Sequence, residues 1–164
     1  MKKVQTWLLA SLFTIGFSGN VLAAADGHGD GHAMEGHKMS AVGMPAEKGA
    51  APNKTITVHL MDTMKFNFSN LAGIEEGDIV KFIVMNKGKI THEFGIGSVE
   101  EQTAHRKMMQ SMPNMKHEDG STVSVAPGQS KELVWQFMGE ATAQFACNVP
   151  GHFEAGMHAE VALH

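Results

Sequence analysis

From about residue 54 onward, apolar and polar positions alternate with a period of two, the pattern of strands that bury one face. Ile56, Val58 and Leu60 alternate with Thr57 and His59. Residues 79–85 are apolar on both faces apart from Lys81, as an interior strand should be. After the turn at Gly88, His92, Phe94 and Ile96 share one face. The sets Leu133, Trp135, Phe137 and Ala143, Phe145, Cys147 do the same, which points Cys147 inward at a strand end. Met157, Ala159, Val161 and Leu163 close the pattern. Short strands punctuated by Gly, Pro and Asn predict an all-β, Greek-key β-sandwich over residues 54–164. One stretch, between Val99 and Asp119, breaks the period: His105, Met108, Met109 and Met112 fall at helical spacing, and Pro113 ends the turn. A short helical insertion is expected there.

Upstream the pattern changes. Lys2 and Lys3 precede an apolar run over residues 7–17, too short to cross a bilayer, and the small residues Ala23, Ala24 and Ala25 follow. Residues 1–25 are therefore expected to be a signal peptide, cut after Ala23 or Ala25, with no membrane anchor after cleavage and a periplasmic product. Residues 26–53 carry Gly, Ala and polar residues without an apolar face and are expected to be a disordered His/Met-rich linker.

Composition sharpens this picture at two points. The formal net charge is -4, so nothing favours nucleic acid as a partner. There are 13 methionines, 10 histidines and a single cysteine. In an oxidising compartment a lone cysteine has no internal partner, which leaves an intermolecular bridge, an unpaired thiol or a metal ligand.

Its neighbours favour the ligand. Cys147-Asn148-Val149-Pro150-Gly151-His152 is followed by Met157, so a thiolate, an imidazole and a thioether share one short loop. His92 supplies a second imidazole. His92, Cys147, His152 and Met157 read as a trigonal His2Cys set with a weak axial Met, the ligand set of a one-electron copper centre. The bland reading makes Cys147 a small buried hydrophobe and Met157 core; it leaves their spacing unexplained.

The loop Cys147-x4-His152-x4-Met157, with His92-Glu93-Phe94 upstream, resembles the cupredoxins, the blue-copper family of plastocyanin, azurin and rusticyanin. The spacing is most similar to the rusticyanin pattern. His92-Glu93-Phe94 and the closing Cys-x4-His-x4-Met also resemble the periplasmic cupredoxins associated with copper tolerance, which carry His/Met-rich N-termini. The resemblance implies a type 1 copper and a cupredoxin sandwich. Many members carry Asn after the first histidine, where its side chain ties the two ligand loops; this chain has Glu93.

Further His and Met residues are candidates for secondary copper: His28, His32, Met34, His37, Met39 and Met44 in the linker, and His105, Met108, Met109, Met112, Met115 and His117 in the insertion. A Met stripe at helical spacing is more often packing, but this one holds no Leu, Ile or Phe. If cleavage follows Ala25, the chain begins Asp26-Gly27-His28, whose amine, amides and imidazole make a square-planar nitrogen set for Cu(II).

Three functions compete. Copper tolerance uses the redox centre together with the Met/His segments. An electron shuttle would dock a periplasmic redox partner on the edge of His152 beside Pro150, Phe153 and Ala155. An enzyme would need further copper centres, which one domain with one cysteine does not supply. The excess of Met and His favours the first, in a non-enzymatic protein expected to be a monomer.

Overall fold

The computed structural model describes residues 39–113 and 115–164. The leader and the candidates His28, His32, Met34 and His37 lie outside the described residues. Nine strands and one helix follow in order: β1 Gly43–Pro45, β2 Lys54–Met61, β3 Lys65–Phe68, β4 Ile79–Asn86, β5 His92–Gly97, α1 Val99–Ser111, β6 Thr122–Val125, β7 Ser130–Phe137, β8 Thr142–Ala146 and β9 His158–Ala162. They form a sandwich of a five-stranded sheet, β1-β7-β4-β2-β3, and a four-stranded sheet, β6-β5-β8-β9. Among the described residues no helix is long and apolar enough to cross a membrane.

The alternation read from the sequence sets which face of the five-stranded sheet is buried. In β4, Val80, Phe82, Val84 and Asn86 are buried while Ile79, Lys81, Ile83 and Met85 are half-covered. As expected, β4 is interior, parallel to β2 and antiparallel to β7. Phe82 meets Phe94 and Phe145 of the other sheet at ring-centroid distances of 5.3 and 5.6 Å, and Phe94 stacks on Phe145 at 5.4 Å. This aromatic cluster joins the layers; burying each such ring contributes about 1.5–3 kcal/mol.

β5 is buried on both faces because α1 covers its outer side. The helix starts at Ser98, whose hydroxyl accepts from the Glu101 N–H at 3.2 Å while Glu101 Oε2 accepts from the Ser98 N–H at 2.7 Å. This reciprocal cap fixes the N-terminus of the helix.

The expected linker, 26–53, requires correction over its described part. Residues 39–53 are not a structureless tether: β1 pairs antiparallel with β7, Gly43 opposite Phe137, and Val42 is fully buried. The side chains of Trp135 and Glu101 help hold the segment. Trp135 Nε1 donates to the Val42 carbonyl at 3.3 Å, and Glu101 accepts from Ser40 Oγ at 2.6 Å and from the Ala41 N–H at 3.0 Å. A three-residue strand carries no periodicity of its own, so its order comes from β7 and α1.

Candidate metal centre

His92 opens β5, Cys147 follows β8, and Met157 directly precedes β9, so sheet geometry brings residues far apart in sequence to one end of the sandwich. The intervening loop is a built turn. The His152 N–H donates to the Val149 carbonyl at 3.0 Å across Pro150 and Gly151, bringing His152 back over the cysteine. Met157 closes the loop on both sides: its N–H donates to the His152 carbonyl, and its carbonyl accepts from the Cys147 N–H, each at 3.0 Å.

One ligand atom each from His92, Cys147 and His152 lie within 4.8 Å of one another. Cys147 Sγ is 3.3 Å from His152 Nδ1, and the two imidazole rings are 5.0 Å apart. His92, Cys147 and Met157 are fully buried, whereas His152 is half-buried. Burial pushes the Cys147 thiol up to about 12, against the lowering effect of the Glu93 and Val149 N–H groups. The same burial, with His92 nearby, holds His152 below its ordinary value.

The tautomer of His92 is set from behind. Its Nε2 lies 3.0 Å from Asp62 Oδ1. A carboxylate only accepts, so Nε2 carries the proton and Nδ1 keeps its lone pair. That Nδ1 is buried and has no hydrogen-bond partner among the described residues. Asp62 is held by the Lys89 N–H at 2.8 Å, which with His92 keeps its carboxyl below the usual range. Gly88 permits this approach: a Cβ there would lie 1.9 Å from Asp62 Oδ1. Nothing local in the sequence marks Asp62, 30 residues before the histidine it orients.

Glu93 ties the two ligand loops through its main chain, not its side chain. Its backbone N–H donates to Cys147 Sγ at 3.2 Å. Asn148 instead donates to Gln102 Oε1 at 2.6 Å, anchoring the cysteine loop to α1. Phe153 is not a bare docking surface: Arg106 sits 3.6 Å over its ring and His158 stacks on it at 4.3 Å.

An orphaned buried imidazole nitrogen, a second imidazole, a thiol and a buried thioether at one rim make a soft donor set with a desolvated interior, which fits copper.

Of the secondary candidates, the structure brings His105, Met109 and His117 together between α1 and the four-stranded sheet. Met112, Met115 and Met39 are exposed, and Met44 lies half-buried in β1. Met108 is half-buried on the groove beside α1. Glu93, adjacent to a candidate ligand, turns its carboxylate toward this second group. Burial pushes that carboxyl up, against a hydrogen bond from Ser124 and the nearby His117.

A family model described as copper binding proteins, plastocyanin/azurin family, matches residues 52–164. A copper-resistant cuproprotein CopI of Vibrio cholerae is 55% identical over 130 residues, covering 79% of this chain and 75% of that protein. A protein of the same name from Rubrivivax gelatinosus is 39% identical over 142 residues, covering 85% of each. Among solved structures, auracyanin B superposes with a TM-score of 0.57 at 14% identity, covering 77% of this chain and 96% of that one, a likeness of fold.

Proposed function

The chain belongs to the plastocyanin/azurin family of copper binding proteins, and from that premise we propose that it holds one copper on His92, Cys147, His152 and Met157 and serves copper tolerance in the periplasm. The observation that carries the ligand assignment is the convergence of one ligand atom each from His92, Cys147 and His152 within 4.8 Å, with Cys147 Sγ 3.3 Å from His152 Nδ1 and a buried His92 Nδ1 left without a partner among the described residues. The names of the curated relatives support the physiological role. The leader-like residues 1–25 support export.

When bound, copper supplies a Cu(II)/Cu(I) couple that moves one electron. The protein's own residues do the rest. Asp62 orients His92, the Glu93 N–H stabilises charge on Cys147 Sγ, and the aromatic core fixes the strands that carry both. Because His92, Cys147 and Met157 are shut from water, the donors are held rather than solvated, and little rearrangement need accompany a change of charge. His152 alone of the four is half-buried, so electrons would pass through its edge, flanked by exposed Pro150 and Ala155. The same edge favours a second reading, a one-electron carrier between periplasmic partners. With one cysteine there is one thiolate centre, and we read the chain as a copper-handling protein rather than an enzyme.

Visible absorption during a Cu(II) titration tests the centre. An intense thiolate-to-copper band saturating at one equivalent, and lost in Cys147→Ser, is expected; its absence would overturn the ligand set. Deletion of the gene separates the roles: copper sensitivity with normal respiration supports tolerance, and a respiratory defect alone supports the carrier.

A further inference from the structure

We propose that Glu93, His105, Met109 and His117 form a second, separate metal site that takes Cu(I) between α1 and the four-stranded sheet. One ligand atom each from Glu93, His105 and His117 lie within 4.8 Å of one another. The two imidazole rings are 4.5 Å apart, and Met109 Sδ lies 3.2 Å from His117 Nε2. Met109 and Glu93 are each 1% exposed.

Two atoms in this pocket lack partners. Glu93 Oε2 and His105 Nε2 are buried and have no hydrogen-bond partner among the described residues. A buried unpaired carboxylate oxygen and imidazole nitrogen cost stability unless something else satisfies them. The remaining hydrogen bonds are arranged so that both stay available. Ser124 Oγ donates to Glu93 Oε1 at 2.9 Å, leaving Oε2 for the pocket. His117 presents Nε2 to Met109 Sδ, and its Nδ1 faces Asp119 Oδ2 at 3.7 Å, an ion-pair separation that places a negative charge behind the ring. The His117 backbone N–H is itself fixed by Ser124 Oγ at 2.9 Å.

The thioether decides the ion. Two imidazoles and a carboxylate would also suit Zn(II), but the buried Met109 sulfur is a soft donor that favours Cu(I), and one carboxylate neutralises its single positive charge in a dry pocket. The groove beside α1, lined by His105 and Met108 with Met39 and Asp119, offers a way in from solvent. This site shares no side chain with the Cys147 centre. Its assignment rests on its own donors.

The test is an anaerobic Cu(I) titration of the whole chain against a chromophoric Cu(I) chelator, with histidine ring nitrogens followed by NMR. Cu(I) is diamagnetic, so each histidine reports its own occupancy. The expected result is a saturable shift of the His105 and His117 Nε2 resonances, and one equivalent of Cu(I) fewer held by His105→Asn and by His117→Asn than by wild type. Met109→Leu, which keeps the packing volume, should weaken binding without unfolding the helix; circular dichroism of each metal-free variant checks the fold. Unshifted His105 and His117 resonances, or equal stoichiometry in wild type and variants, would overturn the site. Tighter binding of Zn(II) than Cu(I) at these two histidines would overturn the choice of ion. The thiolate absorption band reads the Cys147 centre independently, so failure of one site is distinguishable from failure of the other.

Discussion

The backbone N–H of Glu93 donates to Cys147 Sγ at 3.2 Å, while the Glu93 side chain faces the other side of β5, where its Oε1 accepts from Ser124. Successive side chains of a strand point to opposite faces. His92 therefore serves the cysteine end of the sandwich and Glu93 serves the helix pocket. One strand supplies both groups.

Asp62 holds His92 in the tautomer that presents Nδ1. Asp62→Asn should lower copper affinity at the Cys147 centre by about tenfold, within the range found for partners behind a metal-ligating histidine. Gly88→Ala should have the same direction with the carboxylate intact, because the new Cβ would displace Asp62. Competition with a copper chelator measures both, and unchanged affinity in both variants would refute the orienting role.

Met157 is fully buried at the start of β9. Met157→Leu keeps its volume and should leave the fold intact and the thiolate band present. Loss of a weak axial donor should raise the midpoint potential, and Met157→Gln, with a harder oxygen, should lower it. Protein-film voltammetry gives both signs; identical potentials in all three proteins would remove Met157 from the ligand set.

Gly43 has φ +135° in β1, and a Cβ there would lie 2.0 Å from the Gln136 carbonyl oxygen. Gly43→Ala should cost about 1–3 kcal/mol and loosen β1 from β7. In a chain beginning at Asp26, Trp135 is the only tryptophan, and its contact with Val42 makes its emission a direct reporter. A red shift and a lower urea midpoint are expected. Unaltered emission and midpoint would mean that residues 39–45 contribute nothing to the domain.

Asp78 is buried at the start of the five-stranded sheet. Burial alone would raise its carboxyl, but hydrogen bonds from Lys54, the Glu75 N–H and Asn53 outweigh this and hold it below the ordinary value of 3.8. A depressed folded-state value stabilises the fold above the unfolded value and is lost as pH falls through the folded one. Wild type should therefore lose stability below about pH 4 through this group. Asp78→Asn should be about 1–3 kcal/mol less stable at pH 7, with a difference that shrinks toward pH 2. Urea denaturation at pH 7, 4 and 2.5 checks the sign; a constant difference would contradict it.

The sequence by itself determined the longer strands, the helical insertion and the candidate copper ligands. Burial of one face imposes alternation along a strand, and the thiolate, imidazole and thioether of Cys147, His152 and Met157 sit within one loop, so both signals are local. What only the tertiary structure decided is everything that depends on distant partners. Val42 and β1 are ordered because Trp135 and Glu101 reach them, which no pattern in residues 39–53 encodes. Asp62 reaches His92 across 30 residues of chain. The Met and His residues of the insertion read as one group in the sequence, yet packing against β5 keeps His105, Met109 and His117, adds Glu93, and leaves Met112 and Met115 exposed. Periodicity shows which residues of an element face inward. Packing of one element on another decides what they meet there.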